Sequence, residues 1–177
     1  RALIEPAAVL VVGPGLGQAS WGRSLLSAAA NAQRPQVWDA DALNVLAAGV
    51  VTLPPDSVIT PHPGEAARLL GVSTQAVQAD RPAAAQALAQ KYKTVVVLKG
   101  AGSLIASVDG RLALCDHGHP AMATAGLGDV LAGLVGALMA QKLPAFEAAC
   151  LAVWLHASAG ERAGKSGRGL AASDVIP

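Results

Sequence analysis

Strand-like and helix-like segments alternate along this 177-residue chain, and the alternation predicts an α/β fold with a mostly parallel sheet. A second observation supports it. Several successive apolar runs end in loops loaded with Gly, Pro, His, Asp or Lys, as strands of an open parallel sheet do when they present loops at their carboxyl ends. The third is composition. Hydrophobic residues make up 53% of the chain and aromatic residues only 3%, so one aliphatic core can be built within one domain, residues 1–177.

The elements follow in order. Ala8 to Val12 is a short apolar strand ending in Gly13-Pro14-Gly15-Leu16-Gly17, a tight loop. Ser20 to Ala32 reads as a helix. Val37 to Asp39 is the second strand, and Asp41-Ala42-Leu43-Asn44 opens a short helix in which at least one of Asp41 and Asn44 is expected to cap. Ser57 to Ile59 is the third strand. It runs into Thr60-Pro61-His62-Pro63-Gly64-Glu65 and a helix through Leu70. Arg81 to Lys91 is helical, and Thr94 to Leu98 is a β-branched strand closed by Lys99-Gly100-Ala101-Gly102-Ser103. Leu104–Ala106 and Arg111–Leu114 pair as a hairpin across Asp109-Gly110. Two Ala-rich helices, 130–141 and 145–163, and a loop-like tail from Gly164 to Gly169 complete the chain.

The most informative stretch is Thr124-Ala125-Gly126-Leu127-Gly128-Asp129, set directly before the apolar run that opens at Val130. Amide groups at a helix start have no intrahelical acceptor and carry partial positive charge. Glycines let a phosphate approach them closely. The amides of Gly126, Leu127 and Gly128 thus predict an anion hole, and Asp129 beside it predicts a base for an attacking hydroxyl or a metal-holding carboxylate. An aspartate in a first helical turn also serves as a cap or dipole partner. The motif by itself leaves these readings open.

Three other motifs are weaker. The loop after the first strand invites a dinucleotide-binding reading with Asp39 as the ribose acid, but the third glycine of that fingerprint falls on Gln18. Ala159-Gly160-Glu161-Arg162-Ala163-Gly164-Lys165-Ser166 imitates a phosphate-binding P-loop; a helix precedes it instead of a strand, so it reads as a solvated basic loop. His62, held between two prolines, is a rigid candidate for a ligand contact, whereas His117 and His119 lack the partners of a zinc set and read as loop residues.

Composition removes several classes. A net charge of +1 without a basic block argues against nucleic-acid binding through an electrostatic stripe. Residues 130–140 would span about 16 Å as a helix against roughly 30 Å for a bilayer core, so no membrane partner is expected. Cys115 and Cys150 are isolated, which predicts a reducing, cytoplasmic setting and no disulfide framework. No signal peptide is visible. The opening Arg1-Ala2-Leu3-Ile4-Glu5-Pro6, without Met, predicts an interior start with upstream sequence missing.

Taken in order, Val11-Val12-Gly13-Pro14-Gly15-Leu16-Gly17, Asp39-Ala40-Asp41-Ala42-Leu43-Asn44, Thr60 to Glu65, Leu98 to Ser103 and Gly126 to Asp129 resemble the ADP-dependent NAD(P)H-hydrate dehydratase family over essentially the whole chain. The resemblance implies a ribokinase-like three-layer α/β/α fold. Upstream strands, and in many members an epimerase domain, would precede Arg1. It implies dehydration of the S epimer of NADH or NADPH hydrate back to the normal cofactor at the expense of ADP, or of ATP in some members. The C6 hydroxyl would be phosphorylated and phosphate then eliminated. Residue by residue, Asp129 would contact the hydrate and act as base, and Gly128 would contact the AMP part. Lys99, Gly100, Ala101, Gly102 and Ser103 would line the nucleotide site. His62 and Gly15 or Gly17 would touch the hydrate. Magnesium would be held by phosphate oxygens and waters, with no protein metal-ligand set, and the protein would be a homo-oligomer. One departure stands out: Gly118-His119-Pro120-Ala121-Met122-Ala123 replaces the common Gly-Asn-x-Gly-Met-Ala. Two other readings compete, a ribokinase-like small-molecule kinase releasing a stable phosphorylated product and a non-catalytic nucleotide-binding module.

Overall fold

Four short strands lie side by side in parallel: β1 (Leu10–Val12), β2 (Gln36–Trp38), β3 (Ser57–Ile59) and β4 (Val95–Leu98). The computed structural model describes residues 4–165, 167 and 169–176. β5 (Ser103–Ala106) and β6 (Leu112–Cys115) then extend the sheet as an antiparallel hairpin, in the order β1-β2-β3-β4-β5-β6. β5 alone runs against the others. Its reversal follows from the short 99–102 connection, too short for the crossover that a parallel strand requires.

The sheet is covered on both faces, giving the three-layer arrangement. Side chains alternate along each strand with the period of two that a pleated strand imposes. Trp38, Ile59, Val96, Leu98 and Leu104 face the helices α1 (Ser20–Ala30), α2 (Asp41–Ala47), α3 (Pro63–Leu70) and α5 (Arg81–Tyr92). Val37, Val58, Val97 and Ile105 face α6 (Leu127–Ala140) and α7 (Ala145–Gly164). The first group of helices shares one face because each joins strands stepping in the same direction, and such crossovers have one hand. Polar groups within the core are paired. The fully buried Gln36 accepts from Trp38 Nε1 at 2.7 Å and donates to the Ala29 carbonyl at 2.5 Å.

Some boundaries differ from the sequence expectation. A short helix, α4 (Thr74–Ala79), is added to the predicted set; Ser73 caps it by accepting from the Ala76 amide at 3.1 Å. α6 starts at Leu127, ahead of its apolar run. The P-loop-like stretch is not a solvated loop over Ala159–Gly164, because α7 continues to Gly164. Ser166 and Arg168, in the predicted tail, lie outside the described residues, as do Arg1, Ala2 and Leu3 of the predicted start. Among the described residues, no helix is long and apolar enough to cross a membrane.

Candidate active site

The loops that follow β1, β2, β3 and β4 converge with the start of α6 at one edge of the sheet. Gly13 makes the first turn possible. Its φ is 130°, and a Cβ there would overlap the Asp39 carbonyl at the end of β2. Gly15 and Gly17 also have positive φ, and the Cβ side of each is open. The Gly17 amide donates to Asp41 Oδ2 at 2.9 Å, and Gln18 Nε2 donates to Asp41 Oδ1 at 3.3 Å. Asp41 therefore ties down the glycine loop. The expected cap is absent from both candidates: the N-cap position of α2 is Ala40, and Asn44 Oδ1 accepts from Arg68 Nη1 at 2.7 Å. Ala40 itself adopts φ 48°, ψ −120°, a strained backbone held between Asp39 and Asp41.

Asp39, considered from sequence only as a ribose acid, is 1% exposed and anchors the centre of the site. Lys99 Nζ donates to its Oδ1 at 2.6 Å and lies 3.9 Å from Glu65 Oε2. The Lys99 amide donates to the Pro61 carbonyl at 2.9 Å, which continues the β3–β4 ladder past the strand ends. Beyond Lys99, the loop through Ser103 is held from below by Arg81. Its Nη2 donates to the carbonyls of Leu98 at 3.3 Å and Gly102 at 2.9 Å, and a Cβ on Gly100 would collide with its guanidinium. Burial pulls the Arg81 pKa below its ordinary value, yet an arginine stays charged. Ser103 Oγ donates to the Gly100 carbonyl at 3.1 Å and closes the turn.

His62 is the N-cap of α3, with Pro63 at the first helical position. Its Nδ1 accepts from the amides of Gly64 at 3.0 Å and Glu65 at 3.3 Å, while Glu65 Oε2 accepts from the His62 amide at 2.8 Å. This reciprocal box fixes the tautomer. Nδ1 accepts, so Nε2 carries the proton and faces Glu65 Oε1 at 3.4 Å. The ring remains half-exposed at the mouth of the site.

α6 begins at this edge without a side-chain cap. Gly126, its N-cap, has φ 87°. Leu127 is buried and joins Leu170 and Val175 in a small apolar cluster that anchors the first turn. Gly128 meets the charged centre: a Cβ there would lie 3.2 Å from Lys99 Nζ and 3.4 Å from Asp39 Oδ2. Asp129 is exposed, in the first turn, and has no ion-pair partner among the described residues. Helix-start amides and the Lys99 ammonium thus meet at Gly128, and Asp129 is the next residue along the turn.

Sequence reasoning missed Glu65, Arg81 and His156 as parts of this edge. His156, on α7, has a buried Nε2 with no hydrogen-bond partner. Burial lowers its pKa; the backbone of Leu127 opposes that shift and the charge of Lys99 adds to it. Nothing in an Ala-rich helical run marks it. The loop before α6 is fastened to α7. Glu161 accepts from the Gly118 amide at 2.9 Å and approaches His117 Nδ1 at 3.3 Å. His119 caps the following 3-10 turn by accepting from the Ala121 amide at 3.2 Å. Its Nδ1 stands where an asparagine oxygen would, so the same capping bond is possible with either residue. Among the described residues, no three His, Cys, Asp or Glu side chains gather as a metal set.

A parallel-rich sheet covered on both faces, with a glycine-aspartate helix start at its carboxyl edge, defines a ribokinase-like α/β protein. A ribokinase-like superfamily protein from Enterococcus faecalis superposes with a TM-score of 0.87 at 29% identity, over 98% of this chain and 62% of that one. The chain belongs to the NAD(P)H-hydrate dehydratase family, whose model matches residues 2–176. The bifunctional NAD(P)H-hydrate repair enzyme of Coxiella burnetii is 45% identical over 179 aligned positions, covering 100% of this chain and 36% of that protein. The ADP/ATP-dependent NAD(P)H-hydrate dehydratase of Bacillus subtilis, co-crystallized with ATP and Mg²⁺, is 31% identical with a TM-score of 0.82, over 95% of this chain and 61% of that one. The chain spans about a third of the length of the Coxiella relative.

Proposed function

We propose that this chain, as one domain of residues 1–177, dehydrates (6S)-NAD(P)H hydrate to NAD(P)H while ADP is converted to AMP and phosphate. The observation that carries the reading is the uncapped start of α6, where the Lys99 ammonium lies against Gly128 and the next residue, Asp129, is exposed with no ion-pair partner among the described residues. An anion is the ligand such a place favours. A nucleotide fits: glycines 126 and 128 keep the amides accessible, and no side chain occupies the cap position.

In this reading the hydrate's C6 hydroxyl attacks the terminal phosphorus of ADP and the bond to AMP breaks. Asp129 takes the hydroxyl proton. The C6–O bond then breaks, phosphate leaves, and loss of a proton from the ring restores the double bond. Positioning and charge neutralisation dominate such a transfer, so the base need not be strong. The amides of Gly126, Leu127 and Gly128 stabilise charge on the moving group. Lys99, Gly100, Ala101, Gly102 and Ser103, with Gly128, line the nucleotide; His62 and Gly15 or Gly17 contact the hydrate. Magnesium, when bound, would neutralise phosphate charge, held mainly by phosphate oxygens and waters. The reading carries a cytoplasmic setting, in keeping with the free thiols Cys115 and Cys150, and a homo-oligomer, for which the exposed Trp21, Leu25 and Trp154 offer apolar surface.

The test is product analysis with NAD(P)H hydrate and ADP. Regenerated absorbance of reduced nicotinamide, with AMP and phosphate in equal amounts, is expected. Accumulation of a stable phosphorylated substrate would instead identify a kinase, and ADP binding without turnover a nucleotide-binding module.

A further inference from the structure

We propose that the Lys99 ammonium is the side-chain cation that meets the terminal phosphate of the nucleotide at the start of α6, and that Asp39 and Glu65 are the positioning residues that hold it there. This rests on the nucleotide-dependent reading above and adds to it the atom that binds and the two residues behind it.

Three observations carry the assignment. The first is depth. The Lys99 side chain is 18% exposed, against 2% for Asp39 and 6% for Glu65, so the lysine is the most accessible member of the cluster and the two carboxylates are the more deeply buried. A ligand arriving at this edge meets the cation first. The second is donor count. An ammonium has three donors. Among the described residues Lys99 uses one, on Asp39 Oδ1 at 2.6 Å, and Glu65 at 3.9 Å is beyond hydrogen-bond reach. Donors remain for an incoming oxygen. The third is convergence. Nζ lies 3.2 Å from the place a Gly128 Cβ would occupy, so it stands beside the amides that α6 leaves without helical acceptors. A cation on a four-carbon stem would otherwise sample many positions. The two carboxylates, one on the end of β2 and one on α3, confine it to this one.

The competing role is a staple between strand ends with no ligand contact. Binding of ADP, AMP and adenosine, measured by calorimetry on the wild-type chain, Lys99→Met, Asp39→Asn and the double variant, separates the two. Lys99→Met is expected to weaken ADP on the order of tenfold or more, as loss of a charged hydrogen bond does, and to leave adenosine unchanged. Asp39→Asn is expected to weaken ADP in the same sense and to add nothing on the Lys99→Met background. Glu65→Gln, which keeps the acceptor for the His62 amide and removes only charge, repeats the pattern more weakly and serves if Asp39→Asn does not fold. Unchanged ADP affinity in a folded Lys99→Met or Asp39→Asn protein, equal losses for ADP and adenosine, or additive losses in the double variant would overturn the assignment alone. A wild-type chain that binds no ADP would overturn the dehydratase reading itself.

Discussion

Gly128 and Lys99 meet at the first turn of α6, where a Cβ on the glycine would stand 3.2 Å from the lysine Nζ. Lys99 is not free to retreat, because Asp39 holds it at 2.6 Å. Alanine at 128 would gain about 1 kcal/mol of helix propensity and lose a similar amount by pushing the ammonium off its partner. Gly128→Ala is therefore expected to melt within a few degrees of wild type while its affinity for ADP falls several-fold. Thermal melts beside a binding titration check it; unchanged ADP binding would contradict the close approach.

Gly13 is under a harder constraint. Its φ of 130° and the overlap of any Cβ with the Asp39 carbonyl leave no relaxed position for a side chain. Gly13→Ala is expected to destabilise the chain by about 3 kcal/mol or more, the range of strained-backbone and overpacking changes. Urea unfolding measures it. Wild-type stability in that variant would mean the β1 loop can re-form without touching β2.

Asp129 is exposed and supports no ion pair among the described residues, so its removal should cost the fold little. Asp129→Asn is expected to abolish turnover of NAD(P)H hydrate, with ADP affinity and melting temperature near those of wild type. Surface substitutions of this kind usually change stability by about 0.5 kcal/mol or less. Retained turnover would remove Asp129 as the base.

His156 predicts a pH dependence of stability. Its folded-state pKa is lowered, chiefly by burial. Above the ordinary histidine value, folded and unfolded chains both hold it neutral and it has no effect. As pH falls below about 6.5, the unfolded chain takes up the proton first, and stability is lost down to the depressed folded-state value. Unfolding midpoints between about pH 7.5 and 5 should therefore fall more steeply for wild type than for His156→Leu. Parallel slopes would show that the imidazole titrates normally in the folded chain.

Much of this molecule is legible in one dimension. The apolar runs before Gly13, Asp39, Thr60 and Lys99 mark strand ends, and Gly126 to Asp129 marks a helix start, because such signals are local in sequence. Reversal of β5 follows from the shortness of the 99–102 connection. What stayed hidden was side-chain company. Asp39 and Lys99 are 60 residues apart, and neither carries a sign of the other. Arg81 sits at the head of an ordinary helix, yet its guanidinium supports the Lys99–Ser103 turn. His62, expected from sequence as a ligand contact, is a helix cap whose ring stays half-exposed, and that capping role depends on Glu65 and the turn that follows.

Periodicity, glycines and prolines marked the alternation of strands and helices and the strand ends, since backbone geometry and burial respond to neighbours within a few positions. Only the folded sheet decided which charges meet. Ion pairs form between groups that packing brings within a few ångströms, and the parallel order β2-β3-β4 sets Asp39, Glu65 and Lys99 beside one another beneath α6.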